Sequence, residues 1–167
     1  MASGDVKLAF AASSNLDVTS LNSLAASATW VAGWESALVD NSVNLYEDIL
    51  LSGKITVGAA PTAGQVRVYV VALLDDATWP DVFDGVQSAE TVTSALIADG
   101  FWKLAAVFSP DTSASAVYFF GPVSVANLFG GVCPAKFVIF LTHSLVQALA
   151  AAGQQVTTKG VFHTVAP

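Results

Sequence analysis

The chain has 167 residues, 54% of them hydrophobic and only 11% charged, and it carries a formal net charge of −7. Its six Lys and Arg residues are spread singly, so there is no basic stripe for nucleic acid and little attraction to an anionic membrane surface. A single cysteine, Cys133, excludes an internal disulfide framework and a cysteine-based zinc site.

This length suits one domain with one sizeable core. The first residues hold an early acid, Asp5, and too short an apolar run for a signal peptide. Residues 6–12 predict a short first strand with Leu8 and Phe10 on one face. Residues 13–28, rich in Ser, Asn, Ala and Leu, read as an extended edge segment, so residues 1–28 form an N-terminal arm and edge ahead of a single domain over 29–167. In residues 30–38 the two tryptophans, four apart, fit either a shared helix face or a bulged strand around Gly33, and their surroundings favour strand or loop over helix. Residues 65–74, Q-V-R-V-Y-V-V-A-L-L, alternate and then become apolar on both faces, the pattern of a central strand. Residues 49–57 form a similar run, and the Gly- and Pro-containing stretch between them predicts a β-hairpin with a longish loop.

Residues 75–85, D-D-A-T-W-P-D-V-F-D-G, read as a surface loop. Strands are predicted over 89–97 and 102–108, separated by a turn at 98–100, and over 114–120, where Gly121-Pro122 interrupts. A single helical turn is expected around 126–129, then a strongly apolar strand over 136–142. The uncharged stretch 137–158 is broken by Thr142, His143, Gln147 and Gly153, which argues against a membrane span. Residues 144–152 predict a short helix ending at Gly153, because Leu145 and Leu149 are four apart. Residues 155–165 close the chain as a strand with Gly160 as a bulge. Many short strands at such spacings predict an all-β antiparallel sandwich with at most one or two short helices. Long crossing connections such as 75–85 favour jelly-roll wiring within that class.

Chemistry is sparse. His143 lies beside Ser144, but no G-x-S-x-G elbow presents a nucleophile, so a structural histidine is the expectation. Nothing marks His163 as a ligand, and Cys133, with no base or cation near it in sequence, reads as an inert thiol. Asp75, Asp76, Asp81 and Asp84 supply hard oxygens suited to Ca²⁺, but their spacing fits no defined loop, and a solvated acidic loop is the preferred reading. Of the four tryptophans only Trp79 has a context arguing for exposure, as a sugar platform would need; the others read as core or interface. No catalytic residue, metal site or cofactor is predicted, and the chain does not read as an enzyme.

Three stretches taken together point further: W-E-S-A-L-V-D-N-S-V-N-L-Y-E-D-I-L at 34–50, G-P-V-S-V-A-N-L-F-G-G-V-C-P-A-K-F at 121–137, and T-K-G-V-F-H-T-V at 158–165. With V-Y-V-V-A-L-L-D-D-A-T-W-P-D between the first two, the chain resembles small β-rich virion structural proteins of tailed bacteriophages. The resemblance implies a head decoration or cement protein on the capsid surface, made in the host cytoplasm, that bridges major capsid subunits. A tail or baseplate module binding host-surface carbohydrate is the alternative. The scarcity of charge predicts permanent assembly of the chain with itself, as a trimer ahead of a dimer, and the resemblance implies the major capsid protein as its other partner. Expected contact residues are Trp79, Pro80 and Phe83, an apolar cluster rimmed by acids, and Leu8 and Phe10 of the N-terminal arm.

Overall fold

The computed structural model describes residues 4–94 and 102–165. Runs that alternate β-branched or aromatic residues with small or polar ones become strands. In chain order these are β1 (Val6–Phe10), β2 (Ser14–Asn15), β3 (Ala32–Glu35), β4 (Val39–Asp40), β5 (Asp48–Thr56), β6 (Val66–Ala72), β7 (Ser88–Thr91), β8 (Lys103–Phe108), β9 (Val117–Ser124), β10 (Lys136–His143) and β11 (Gln155–Val165). A 3-10 turn at Thr19–Leu21 and one helical turn, α1 (Val125–Leu128), complete the regular structure of the described residues. The helical turn falls where the sequence predicts it. Ser124 Oγ accepts from the Asn127 N–H at 3.0 Å, and Asp48 Oδ1 from the Ala126 N–H at 2.8 Å. Together they satisfy donors that a helix start leaves open.

Two antiparallel sheets face each other. The first runs β1-β11-β5-β9, with β2 also on β11; the second runs β7-β3-β10-β6-β8, with β4 also on β10. Among β1, β3, β5, β6, β8, β9, β10 and β11, the chain changes sheet at every step except from β6 to β8. This is the wiring of a jelly roll, and the all-β sandwich class predicted from sequence holds. Between the sheets lies the main core, with Leu51, Ile55, Val66, Val68, Val70, Phe137, Ile139 and Leu141 all buried in it.

Several local expectations change. β5 and β6 do not form a hairpin: β5 pairs with β11 and β9, and β6 with β10 and β8. Their apolar faces meet across the core, because alternation tells which side chains point inward and not which strand is the neighbour. The N-terminal stretch is no detached arm. β1 and β2 pair with β11, and Leu21 and Leu24 are buried in the main core, so residues from Val6 onward belong to the sandwich.

The helix expected over 144–152 is instead irregular chain. Leu145 and Leu149 still plug the core, but Leu149 is bridged to Val57 and donates its N–H to Leu24 O at 3.0 Å. Nor is Gly160 a bulge, since β11 pairs with β5 in unbroken register. A Cβ at this position would lie 2.4 Å from atoms of the Tyr46 ring, so the glycine makes room for that ring. Gly33 likewise sits in regular pairing with β7, under the Phe140 ring. The strand expected over 89–97 is shorter, since β7 ends at Thr91 and residues 92–94 lie in no strand; its predicted end at 95–97 and the turn at 98–100 lie outside the described residues.

The second sheet is buried on its outer face as well. Tyr69, Val71, Val138 and Phe140 point away from the main core and pack with Phe83, Val92 and Trp102 in a second apolar cluster. This explains why the latter half of β6 is apolar on both faces.

Candidate functional site

The cover over the second sheet is the connection from β6 to β7, residues 73–87, which we call the strap. Phe83 enters between Trp102 and Phe140, with ring centroids at 5.1 and 5.4 Å and edge-to-face geometry. Trp102 also meets Tyr69 and Phe140 edge-on at 5.8 and 5.2 Å. Such arrangements suit the ring quadrupoles. The expected contact cluster is corrected accordingly. Phe83 and Pro80 are buried, and Trp79 is half-buried against the same cluster, so these side chains are largely used within the chain. The sequence misleads here because apolar residues among acids look the same whether they meet a partner or the chain's own sheet.

The acids of the strap serve its shape. Asp75 Oδ1 accepts from the Ala77 and Thr78 N–H groups at 2.8 and 2.6 Å, and these bonds hold its carboxyl below the usual range. Asp81 accepts from the Thr93 N–H and hydroxyl at 2.8 and 2.6 Å, and Asp84 from the Val86 N–H at 2.8 Å. No group of three or more His, Cys, Asp or Glu side chains able to hold a metal ion occurs among the described residues.

Sequence reading passed over one residue of consequence. Glu35, at the end of β3, is fully buried on the outer face of the second sheet. Its Oε1 accepts from the Gly85 N–H at 2.7 Å and the Asp84 N–H at 3.2 Å, which ties the strap to the sheet. Oε2 is buried and has no hydrogen-bond partner among the described residues. Burial first, and then the charges of Asp84 and Glu90 against the two hydrogen bonds, push this carboxyl up to about 7. The hint in the sequence is an acid inside the otherwise apolar run W-V-A-G-W-E-S-A-L.

On the first sheet the expected contact residues behave differently. Val6, Leu8 and Phe10 on β1 are 67%, 56% and 52% exposed, and the residues between them are half-buried. Opposite them on β11 stand Val165, His163 and Val161. The Lys159 ammonium lies 5.4 Å from the Phe10 ring centroid. The result is an apolar ridge along the sheet edge. Leu8 and Phe10 therefore remain available for contact, where Pro80 and Phe83 do not.

The residues screened for catalysis have structural surroundings. His143 is buried; its Nε2–H donates to Leu24 O at 3.0 Å, and burial lowers its pKa, so the ring is neutral. Its Nδ1 has no partner among the described residues. Ser144 Oγ accepts from the Gln65 N–H at 3.1 Å. His163 is exposed and its Nδ1 meets Glu47 Oε1. Burial, reinforced by Asp48, pushes the Cys133 thiol up to about 11, away from the reactive thiolate. A recess of about 230 Å³ lies by Tyr46, with Asp40, Asn44 and Thr158 among the polar residues around it. No helix of the described residues is long and apolar enough to cross a membrane. No protein-family model matches this chain, and no curated protein matches it.

Proposed function

We propose that this chain is a non-enzymatic virion structural protein: a capsid decoration or cement protein that bridges major capsid subunits and associates with itself, as a trimer ahead of a dimer. The observation that carries the reading is the ridge of Val6, Leu8, Phe10 and Val165, outward on an edge of the first sheet in a chain so poor in charge. Contiguous apolar surface of this kind marks interfaces, and closed cyclic symmetry is the usual way for identical chains to bury it. Jelly-roll wiring is compatible with a capsid role, although the fold alone does not dictate one. The segments quoted in the resemblance supply the start of β5, the end of β9, α1 and most of β11, which belong to the first sheet and its rim.

The test is sedimentation of the purified chain together with its copy number in particles. A closed oligomer at micromolar concentration and hundreds of copies per particle are expected. A monodisperse monomer would remove the self-association, and a few copies per particle would favour a tail location. In that event the Tyr46 recess is where carbohydrate binding should be sought.

A further inference from the structure

We propose that Glu35 is a pH-sensitive latch: its neutral carboxyl holds the strap on the second sheet, and ionisation loosens the strap and uncovers the aromatic face beneath. The inference stands on the geometry of residues 35, 84 and 85 and does not depend on the virion reading.

Near this site the strap is held by the Phe83 ring between Trp102 and Phe140, by the pH-indifferent bond from the Leu38 N–H to Gly85 O at 2.9 Å, and by the Glu35 carboxyl on the Asp84 and Gly85 amides. The ring contact does not titrate. The carboxyl does, and among the described residues every charged group that faces it is another acid. From the strap comes Asp84, and from β7 comes Glu90, which is hydrogen-bonded to the Ser88 hydroxyl at 2.6 Å. β10 presents Phe140 opposite Glu35, while that strand's own titratable groups, Lys136 and His143, stand at its two ends. As the neutral acid, Glu35 leaves one buried O–H unpaired. As the anion, it places a full charge beside two carboxylates with one oxygen still unpaired. Burying such a charge without a cation is much the costlier state. Lifting the strap admits water to the carboxylate, so proton loss favours the open form.

The released strap would expose Tyr69, Val71, Val138, Phe140 and Trp102, an apolar face that the closed form conceals. Burial raises this carboxyl to about 7, so the change falls near neutrality.

The experiment measures hydrogen-exchange protection of the Asp84 and Gly85 amides, corrected for the intrinsic pH dependence of exchange. Wild type and Glu35→Gln are compared from about pH 5 to about pH 8. If Glu35 regains its ordinary acidity on opening, wild-type protection falls roughly 70-fold over that range. Glu35→Gln keeps an oxygen for the two amides and has nothing to titrate, so its protection stays flat. Equal pH slopes in the two proteins, or a flat wild type, overturn the proposal. Should Glu35→Gln fail to fold, the wild type decides alone. The Glu35 carboxyl ¹³C shift and the opening constant obtained from exchange must then rise with one midpoint, and separate midpoints overturn the latch.

Discussion

On the second sheet, Tyr69, Val71, Val138 and Phe140 point away from the main core and are nonetheless buried, whereas on the first sheet Val6, Leu8, Phe10 and Phe119 point outward and stay exposed. Hydrophobicity does not separate the two groups; the connections do. β6 and β8 are adjacent in their sheet, yet the chain between them makes a long excursion through the strap and β7, and that excursion covers the outer face. Among the described residues, no comparable segment lies over the ridge at β1. One apolar face is therefore closed by the chain itself, and the other stays exposed in the described residues.

The largest effect should come from removing the plug of the closed face. Phe83→Ala deletes a buried ring from a cluster of edge-to-face aromatics, and such truncations cost about 3–5 kcal/mol. Urea denaturation should show a loss of that order. A loss below about 1 kcal/mol, the ordinary size of a point substitution, would mean that the strap is a loose cover and the two faces are alike.

Next comes the latch, read through global stability. A carboxyl raised on folding binds its proton more tightly in the folded chain. Its stabilising effect is whole below the ordinary value of 4.5 and is lost as pH rises to about 7. The loss is at most about 3 kcal/mol. His143 works in the opposite sense: its lowered pKa contributes stability above the ordinary 6.5 that is lost as pH falls through the folded value. Wild type should therefore fall in stability from pH 5 to 7 less steeply than Glu35 alone would dictate. Glu35→Gln should lose that fall and keep only the weakening on the acid side. Denaturation midpoints across pH decide it, and a wild-type decline that survives in Glu35→Gln would assign the effect elsewhere.

A smaller effect tests the junction between the sheets. Gly160→Ala places a methyl against the Tyr46 ring, which itself meets Phe162 at 5.9 Å between centroids. Overpacking of this kind costs about 1–3 kcal/mol. In a Tyr46→Ala background the same change should cost much less, and a double-mutant cycle on thermal unfolding checks this. Additive costs would show that Gly160 is required for another reason.

Much of the architecture was legible because it rests on short-range patterning. The alternation in β6 and β10 identified both central strands, and the buried state of Val68, Val70, Ile139 and Leu141 follows from it. Pairing partners were not legible, which is why β5 and β6 read as a hairpin. The four-residue spacing of Leu145 and Leu149 suggested a helix, but the bonds from this stretch to Leu24 and Val57 satisfy its backbone without one. At the candidate site, the strand period alone puts Leu8 and Phe10 on one face, and both are exposed. Phe83 and Pro80 were misassigned because the cover over a sheet is a long-range fact. Glu35 was missed for the same reason, as its two donors come from residues about fifty positions later.

The smallest effect on stability should come from the open ridge. Leu8→Thr with Phe10→Thr keeps residues that suit a strand while removing the apolar side chains. Both positions are more than half exposed, and surface changes away from buried features usually stay within about 0.5 kcal/mol. The denaturation midpoint of the dissociated chain should therefore hardly move, in contrast to Phe83→Ala. What should change is association: if the ridge is an interface, the double variant sediments as a smaller species than wild type and loses affinity for particles. Two results would break the contrast. A stability loss as large as that of Phe83→Ala would mean that the chain itself depends on the ridge. Unchanged sedimentation and particle binding would mean that self-association and capsid contact lie elsewhere, with the exposed Phe119 and Val117 on the opposite edge of the same sheet as the next place to look.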